Sequence, residues 1–191
     1  MKLITIKAEN TEQVSGAVRI EDVQLLAPIP HPLQDVICLG INYMARAEEA
    51  SRFESKAFGG ERPYPIYFSK RANEAVADGD MIPSYPELVD SLDYESELAV
   101  IIGKDAKNVS EGDVKDYIFG YTILNNVSAR NILTRHKQWY FGKSMDGFTP
   151  MGPSILTADQ VEFPLFLGLA DMIKYTQTSH LNKCLCTLKI Q

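Results

Sequence analysis

The stretch Asp93-Tyr94-Glu95-Ser96-Glu97-Leu98-Ala99-Val100-Ile101-Ile102-Gly103 joins two closely spaced glutamates to an apolar, β-branched run. Such a run predicts a buried strand, and the two-residue period of a strand puts Glu95 and Glu97 on one face, about 6.6 Å apart along the backbone. Two carboxylates beside a buried strand repel each other and resist desolvation, so a bound cation is the simplest way to keep both ionised. The alternative is a solvated strand face, which is the more common setting of a lone Glu-x-Glu pair.

The composition predicts a globular domain with a core of its own. The chain has 191 residues, of which 45% are hydrophobic and 23% charged, which suits one domain. Strand-like segments followed by Pro28-Ile29-Pro30-His31-Pro32 suggest a small N-terminal lobe, residues 1–30, and a main domain, residues 31–191. The net charge of −6 without a long Lys/Arg cluster argues against nucleic acid as a partner, and no run has the length to span a membrane.

Three cysteines, Cys38, Cys184 and Cys186, are too few for a disulfide framework. Cys38 lies in an apolar stretch, where a small core residue is expected. His180 with Cys184 and Cys186 does not have the spacing of a common zinc site. The N-terminus alternates like a strand and lacks the apolar segment of a secretory signal. We therefore expect a cytoplasmic protein; a mitochondrial location stays open, because a removed transit peptide leaves no trace.

The pattern along the chain is rich in strands, with a few short helices between them. Strands are expected at 36–39, 65–70 and 117–124, where β-branched and aromatic residues cluster. A helix is expected at 44–53, and another is expected to begin after the N-cap Ser110.

Four separated segments resemble one family, fumarylacetoacetate hydrolase and its relatives, which include acylpyruvate hydrolases, oxaloacetate decarboxylases and isomerases of unsaturated keto acids. The segments occur in the family's order and are Leu39-Gly40-Ile41-Asn42-Tyr43, Asp93 to Val100, Gly120 to Arg130, and Gln138-Trp139 with Gly142 to Pro153. The resemblance covers residues 20–160. It implies an α+β fold, a mixed β-sheet roll with short peripheral helices, and often a homodimer.

The resemblance also implies a divalent metal, Mg²⁺ or Mn²⁺, that binds a small keto acid. It places the metal ligands on Glu95, Glu97 and Asn126. A keto acid chelates a hard cation through two oxygens, so the negative charge of an enolate is stabilised where it forms. Magnesium prefers an octahedral shell of oxygen ligands, which carboxylates, an amide and the substrate can supply.

Further site residues follow from the same resemblance. Lys143 matches the family's active-site lysine, a compact cation that can neutralise a carboxylate or an enolate. Arg130 and Gln138 match positions near the polar end of the substrate. Tyr43 and Lys70 are weaker candidates, because aromatic and basic residues at strand ends mostly belong to packing and surface.

The chain departs from the family pattern at three places. Asn126 stands where the family usually carries an aspartate, which lowers the formal ligand charge from −3 to −2 and weakens the attraction for a hard dication. Arg46 stands where the family has the histidine that activates water together with a glutamate, here Glu49, and an arginine is no base at neutral pH. The family's later substrate-facing strand, helix and Gly-Thr-rich loop have no counterpart after Pro164, so we expect an incomplete C-terminal part.

These features predict divalent-metal-dependent hydrolysis, decarboxylation or isomerisation of a small keto acid of the acylpyruvate, fumarylpyruvate or oxaloacetate type. Hydrolysis is the reaction most damaged by the loss of the histidine base, which leaves Glu49 as a catalytic candidate and Arg46 as its neighbour. The alternative is a non-catalytic relative that keeps the fold and acts as a binding or assembly protein.

Overall fold

In the computed structural model, the glutamate-containing stretch leads into the middle of a mixed β-sheet. The structure describes residues 1–7, 19–40, 66–161 and 184–189, the last of these by its backbone. The strands are β1 (Lys2–Leu3), β2 (Thr5–Lys7), β3 (Gln24–Leu26), β4 (Val36–Gly40), β5 (Ile66–Lys70), β6 (Leu92–Asp93), β7 (Ser96–Ile102), β8 (Ile118–Asn125), β9 (Ser128–Ala129), β10 (Met151–Thr157) and β11 (Cys184–Lys189). The helices of these ranges are α1 (Arg130–His136), α2 (Trp139–Lys143) and the 3-10 helices Ile20–Asp22, Glu111–Tyr117 and Ala158–Gln160.

The main sheet has seven strands in the order β1-β10-β8-β7-β11-β4-β5. Strand β11 runs parallel to β4, and every other neighbouring pair in this sheet is antiparallel. Two small antiparallel ladders, β2 with β3 and β6 with β9, lie outside it. A mixed sheet with short helices is the α+β architecture that the sequence predicts, and that prediction is confirmed.

Strand β7 is buried on both faces, which explains its uninterrupted apolar run. Ala99 and Ile101 belong to one core cluster, whereas Val100 and Ile102 belong to a second cluster on the opposite face. Because side chains alternate along a strand, Glu97 lies on the Ala99 face. The acidic pair therefore enters the protein interior together with the start of this strand.

The three predicted strands are present, with ends that differ by at most one residue. The predictions at 36–39, 65–70 and 117–124 correspond to β4, β5 and β8. Cys38 is fully buried in β4, as expected. Strand β1 of the predicted N-terminal lobe pairs with β10 of the main sheet, and the division of the chain at residue 30 stays a prediction.

The helices are short and end at defined signals. Helix α1 is followed by Lys137 in the left-handed conformation, with φ at 52°, and α2 follows Gln138, whose Oε1 accepts a hydrogen bond from the Tyr140 N–H at 2.7 Å. The predicted N-cap Ser110 precedes a 3-10 helix, and the predicted helix 44–53 lies outside the described residues. None of the helices in the described ranges is long and apolar enough to cross a membrane.

Candidate functional site

The two glutamates lie where β7 begins, and both are withdrawn from solvent. Glu95 is 7% exposed and Glu97 is 3% exposed, whereas Ser96 between them is exposed. Strand β7 begins only at Ser96, but Glu95 is tied to the end of β8, because its carbonyl accepts from the Asn126 N–H at 2.8 Å and its N–H donates to Asn125 Oδ1 at 3.1 Å. The backbone thus holds both carboxylates on one side, as the sequence predicts.

Asn126 follows β8 and is fully buried beside these glutamates. Its Nδ2 donates a hydrogen bond to Glu97 Oε1 at 3.0 Å. Its Oδ1 is buried and has no hydrogen-bond partner among the described residues. Burial of an amide oxygen without a hydrogen bond costs free energy. This oxygen belongs to the side chain that contacts Glu97, and Glu95 lies two residues before Glu97.

Lys143, the last residue of α2, connects Glu95 to the same loop. Its Nζ donates to Glu95 Oε2 at 3.0 Å and to Ser128 Oγ at 2.6 Å. The Ser128 hydroxyl donates in turn to the Asn126 carbonyl at 3.0 Å. We call Glu95, Glu97, Asn126, Ser128, Lys143 and Lys70 the buried polar cluster.

Lys70 is the sixth member, and the surface interpretation of this residue is wrong. It closes β5 with a side chain that is 0% exposed, and its Nζ donates to the Val127 carbonyl at 3.2 Å. Burial and, to a smaller extent, the charge of Lys143 lower the pKa of Lys70 from 10.5 to about 7, although Cys38, Glu97 and Glu95 act to raise this pKa. Burial of an ammonium group is unfavourable unless nearby anions or hydrogen-bond acceptors compensate for the lost hydration.

Arg130 and Gln138 lie in different settings, and their predicted roles at the polar end of the substrate stay predictions. The Arg130 Nε and one Nη both donate to Asp93 Oδ2, at 2.8 and 2.6 Å, and the same Nη lies 3.2 Å from Glu95 Oε1. The guanidinium therefore joins two carboxylates of the protein, and it contacts the Glu95 oxygen that Lys143 does not. Gln138 is exposed and caps α2, so the structure does not bring it into the buried polar cluster.

Three predicted site residues, Tyr43, Arg46 and Glu49, lie outside the described residues, and their roles stay predictions. Ser128 and Asp93 were missed by the sequence analysis, although both belong to segments that carry the resemblance. For Lys70 the signal was a lysine that ends an otherwise apolar strand, a pattern that fits a surface residue equally well.

The donor set of the cluster suits a hard cation. Across the part of the chain that the structure describes, no three His, Cys, Asp or Glu side chains converge, because the third position holds an amide. Two carboxylates and the buried Asn126 Oδ1 nevertheless offer oxygen atoms of the kind that Mg²⁺ and Mn²⁺ prefer. A smaller ligand charge predicts weaker binding than three carboxylates would give.

Most of the chain is similar to one protein family. Residues 35–180 match the sequence model of the fumarylacetoacetate (FAA) hydrolase C-terminal region. Oxaloacetate tautomerase YisK of Bacillus subtilis (strain 168) is 40% identical over 158 residues, which cover 83% of this chain and 51% of that protein. The mitochondrial oxaloacetate tautomerase fahd2 of Xenopus laevis is 36% identical over 167 residues, with coverages of 84% and 50%. The chain spans about half the length of these curated relatives.

Solved structures show the same likeness. A fumarylacetoacetate hydrolase from the psychrophile Exiguobacterium antarcticum superposes with a TM-score of 0.70 at 28% identity, over 87% of this chain and 65% of that chain. A maleylpyruvate hydrolase from Sphingobium sp. SYK-6, solved with manganese(II) ion and pyruvate, superposes with a TM-score of 0.53 at 31% identity, over 77% of this chain and 47% of that chain.

Proposed function

This chain belongs to the fumarylacetoacetate hydrolase family, and we propose that it binds a divalent cation and a small keto acid at the buried polar cluster and tautomerises the keto acid. The observation that carries the proposal is the convergence of Glu97 on Asn126 and of Lys143 on Glu95, at 3.0 Å each, in the protein interior. The oxaloacetate tautomerases among its relatives support the choice of reaction.

The residues of the cluster fit a divalent metal. Glu95, Glu97 and Asn126 would hold it, and the buried Asn126 Oδ1, which has no hydrogen-bond partner among the described residues, is the atom that gains most from a cation. A bound Mg²⁺ or Mn²⁺ would supply a Lewis acid that polarises a ketone oxygen. The manganese complex of the Sphingobium relative supports this assignment.

The chain's own side chains orient the site. Lys143 fixes one oxygen of Glu95, and Arg130 lies against the other. The Asn126 amide fixes Glu97 through its Oε1. Because these partners are in place before any substrate arrives, little reorganisation is needed when charge develops on a bound keto acid.

Tautomerisation is the reaction that this chain's residues impair least. It shifts one proton between oxygen and carbon and consumes no other reactant, whereas cleavage of an acylpyruvate consumes a water that a base must activate. The position of the family's histidine base holds Arg46. Glu49, three residues after Arg46, is the predicted base, and its role is part of this proposal.

The test follows the conversion of enol-oxaloacetate to its keto form by ultraviolet absorbance, with metal-free protein and after addition of Mn²⁺. We expect Mn²⁺-dependent tautomerisation that falls at least about tenfold in Glu97→Gln, since disturbing a metal shell typically costs that much. Glu111→Gln, the same change on an exposed 3-10 helix, should keep the full rate.

Acylpyruvate cleavage is the contrasting reaction, and we expect it to be undetectable or very slow under the same conditions. Robust cleavage would overturn the preference for tautomerisation. If the Mn²⁺-loaded wild-type protein has no activity with either substrate, the non-catalytic alternative is favoured, a binding or assembly protein that keeps the fold.

A further inference from the structure

We propose that Lys70 contacts the bound keto acid and donates hydrogen bonds to an anionic oxygen of that ligand. This inference rests on the proposed function, because it needs a keto acid at the buried polar cluster. Lys70 would then be a second substrate-binding cation beside Lys143. This role would explain why a lysine is completely buried at this position.

The first argument is the hydrogen-bonding capacity of the Lys70 ammonium. A lysine ammonium has three N–H donors and no acceptor. Within the described ranges, the Val127 carbonyl at 3.2 Å is the one hydrogen-bond acceptor of Lys70. Two donors are thus available to an incoming oxygen, in a place where solvent does not reach the side chain.

The other cations of the site are more fully engaged. Lys143 donates to Glu95 at 3.0 Å and to Ser128 at 2.6 Å, which uses two of its three donors. Arg130 is held by Asp93 and Glu95. Of the two lysines of the cluster, Lys70 therefore offers an entering anionic ligand more uncommitted N–H donors within the described residues, two against one on Lys143.

The second argument is the position of Lys70 relative to the proposed metal ligands. Its acceptor, Val127, lies between Asn126 and Ser128 in the chain, and both of these neighbours belong to the cluster. Phe68, which precedes Lys70 by two residues on the same strand face, has its ring centroid 5.5 Å from Lys143 Nζ. The two ammonium groups thus approach the loop at 126–128 from β5 and from α2.

The charges of the cluster make an anion a suitable ligand. Two carboxylates are matched by two lysines, so a bound divalent cation leaves a positive excess. A keto acid carries at least one carboxylate, and its enolate carries a further charge. Charge-assisted hydrogen bonds to a buried ammonium are about twice as strong as neutral ones, so Lys70 should contribute to ligand affinity more than to metal affinity.

The experiment measures Mn²⁺ and oxalate binding by calorimetry, with oxalate as a planar dianion that mimics an enolate. Lys70→Met removes the ammonium but keeps a long apolar chain that suits a buried site. We expect Mn²⁺ affinity that is unchanged or higher, because a like charge is lost, and oxalate affinity of the Mn²⁺-loaded protein that falls at least about tenfold. Lys107→Met, the same change on an exposed lysine, should bind oxalate as the wild type does.

Lys70→Gln keeps an N–H donor without the charge and provides the comparison if Lys70→Met does not fold; we expect a loss of oxalate affinity there too. Wild-type oxalate affinity in a folded Lys70 variant would overturn this inference and leave the proposed function standing. A parallel tenfold loss of Mn²⁺ affinity would also overturn it, because Lys70 would then serve the metal site. Absence of Mn²⁺-dependent oxalate binding in the wild type would overturn the proposed function itself, and this inference with it.

Discussion

At the residue scale, the buried polar cluster shows why an amide at position 126 is tolerated. The Asn126 Nδ2 donates a hydrogen bond to one oxygen of Glu97, a bond that a carboxylate at the same position could not make without a proton or a metal. The amide therefore supports the metal-free protein and reduces the ligand charge at the same time. The two effects have opposite consequences for folding and for metal binding.

Asn126→Asp tests this trade-off. The third carboxylate should raise Mn²⁺ or Mg²⁺ affinity by at least about tenfold, or about 1.4 kcal/mol, while repulsion from Glu97 lowers the thermal stability of the metal-free variant. Calorimetric titration and thermal unfolding of metal-free protein measure the two effects. Asn108→Asp, on the exposed surface, should alter neither, and equal metal affinity in Asn126→Asp and wild type would show that position 126 is not a ligand.

Lys70 should make the stability of the metal-free protein depend on pH. Its pKa is lowered to about 7 in the folded protein from 10.5. Between these two values the unfolded chain binds a proton that the folded chain does not, so the free energy of unfolding rises with pH, by up to about 1.4 kcal/mol per pH unit. Denaturant unfolding across this range should show the rise in wild type but not in Lys70→Met, and parallel curves for the two proteins would contradict it.

At the element scale, the short helix α2 sets the position of Lys143, and α2 is in turn positioned by strand β4. Gly40 ends β4, and a Cβ atom there would lie 2.4 Å from a ring carbon of Trp139, the first residue of α2. The Trp139 ring also meets Phe68 of β5 edge-on, with centroids 5.0 Å apart. A close contact between strand and indole thus locates the helix that carries the catalytic candidate.

Gly40→Ala should therefore destabilise the protein by about 1–3 kcal/mol, the usual cost of overpacking. Displacement of Trp139 should also lower Mn²⁺-dependent activity, because Lys143 would move away from Glu95. Gly112→Ala is the matched control, since its Cβ would meet only Ser110 Oγ at 3.9 Å; it should be neutral or slightly stabilising. Equal unfolding free energies in Gly40→Ala and Gly112→Ala would refute the contact.

Some features of the site follow from individual strands and could be predicted from the sequence, whereas others depend on how the strands are arranged. The common face of Glu95 and Glu97 was predictable, because the two-residue period of a strand is local. The match of Asn126 and Lys143 to a family site came from the resemblance. The burial of Lys70 and the contact of Arg130 with Asp93 could not be predicted, because they depend on which strands become neighbours, and local patterns do not specify strand order.

At the scale of the whole molecule, the mixed sheet brings residues that are distant in sequence to one place. Lys70 lies on the last strand of the sheet order, beyond β11 and β4, whereas the carboxylates lie where β7 begins and the lysine of α2 follows β9. The family and the α+β fold were predictable from four short segments. A homodimer, a cytoplasmic location and the lack of nucleic-acid or membrane partners stay predictions.

Strand β11 has a consequence for how the protein is made. It lies between β7 and β4 in the sheet, yet a ribosome translates both of those strands more than eighty residues earlier. Until residues 184–189 emerge, β7 and β4 each lack a neighbour and present backbone groups that other chains can pair with. In the interval before the sheet can close, these strand edges are the part of the nascent chain where the physics of unpaired strands favours aggregation.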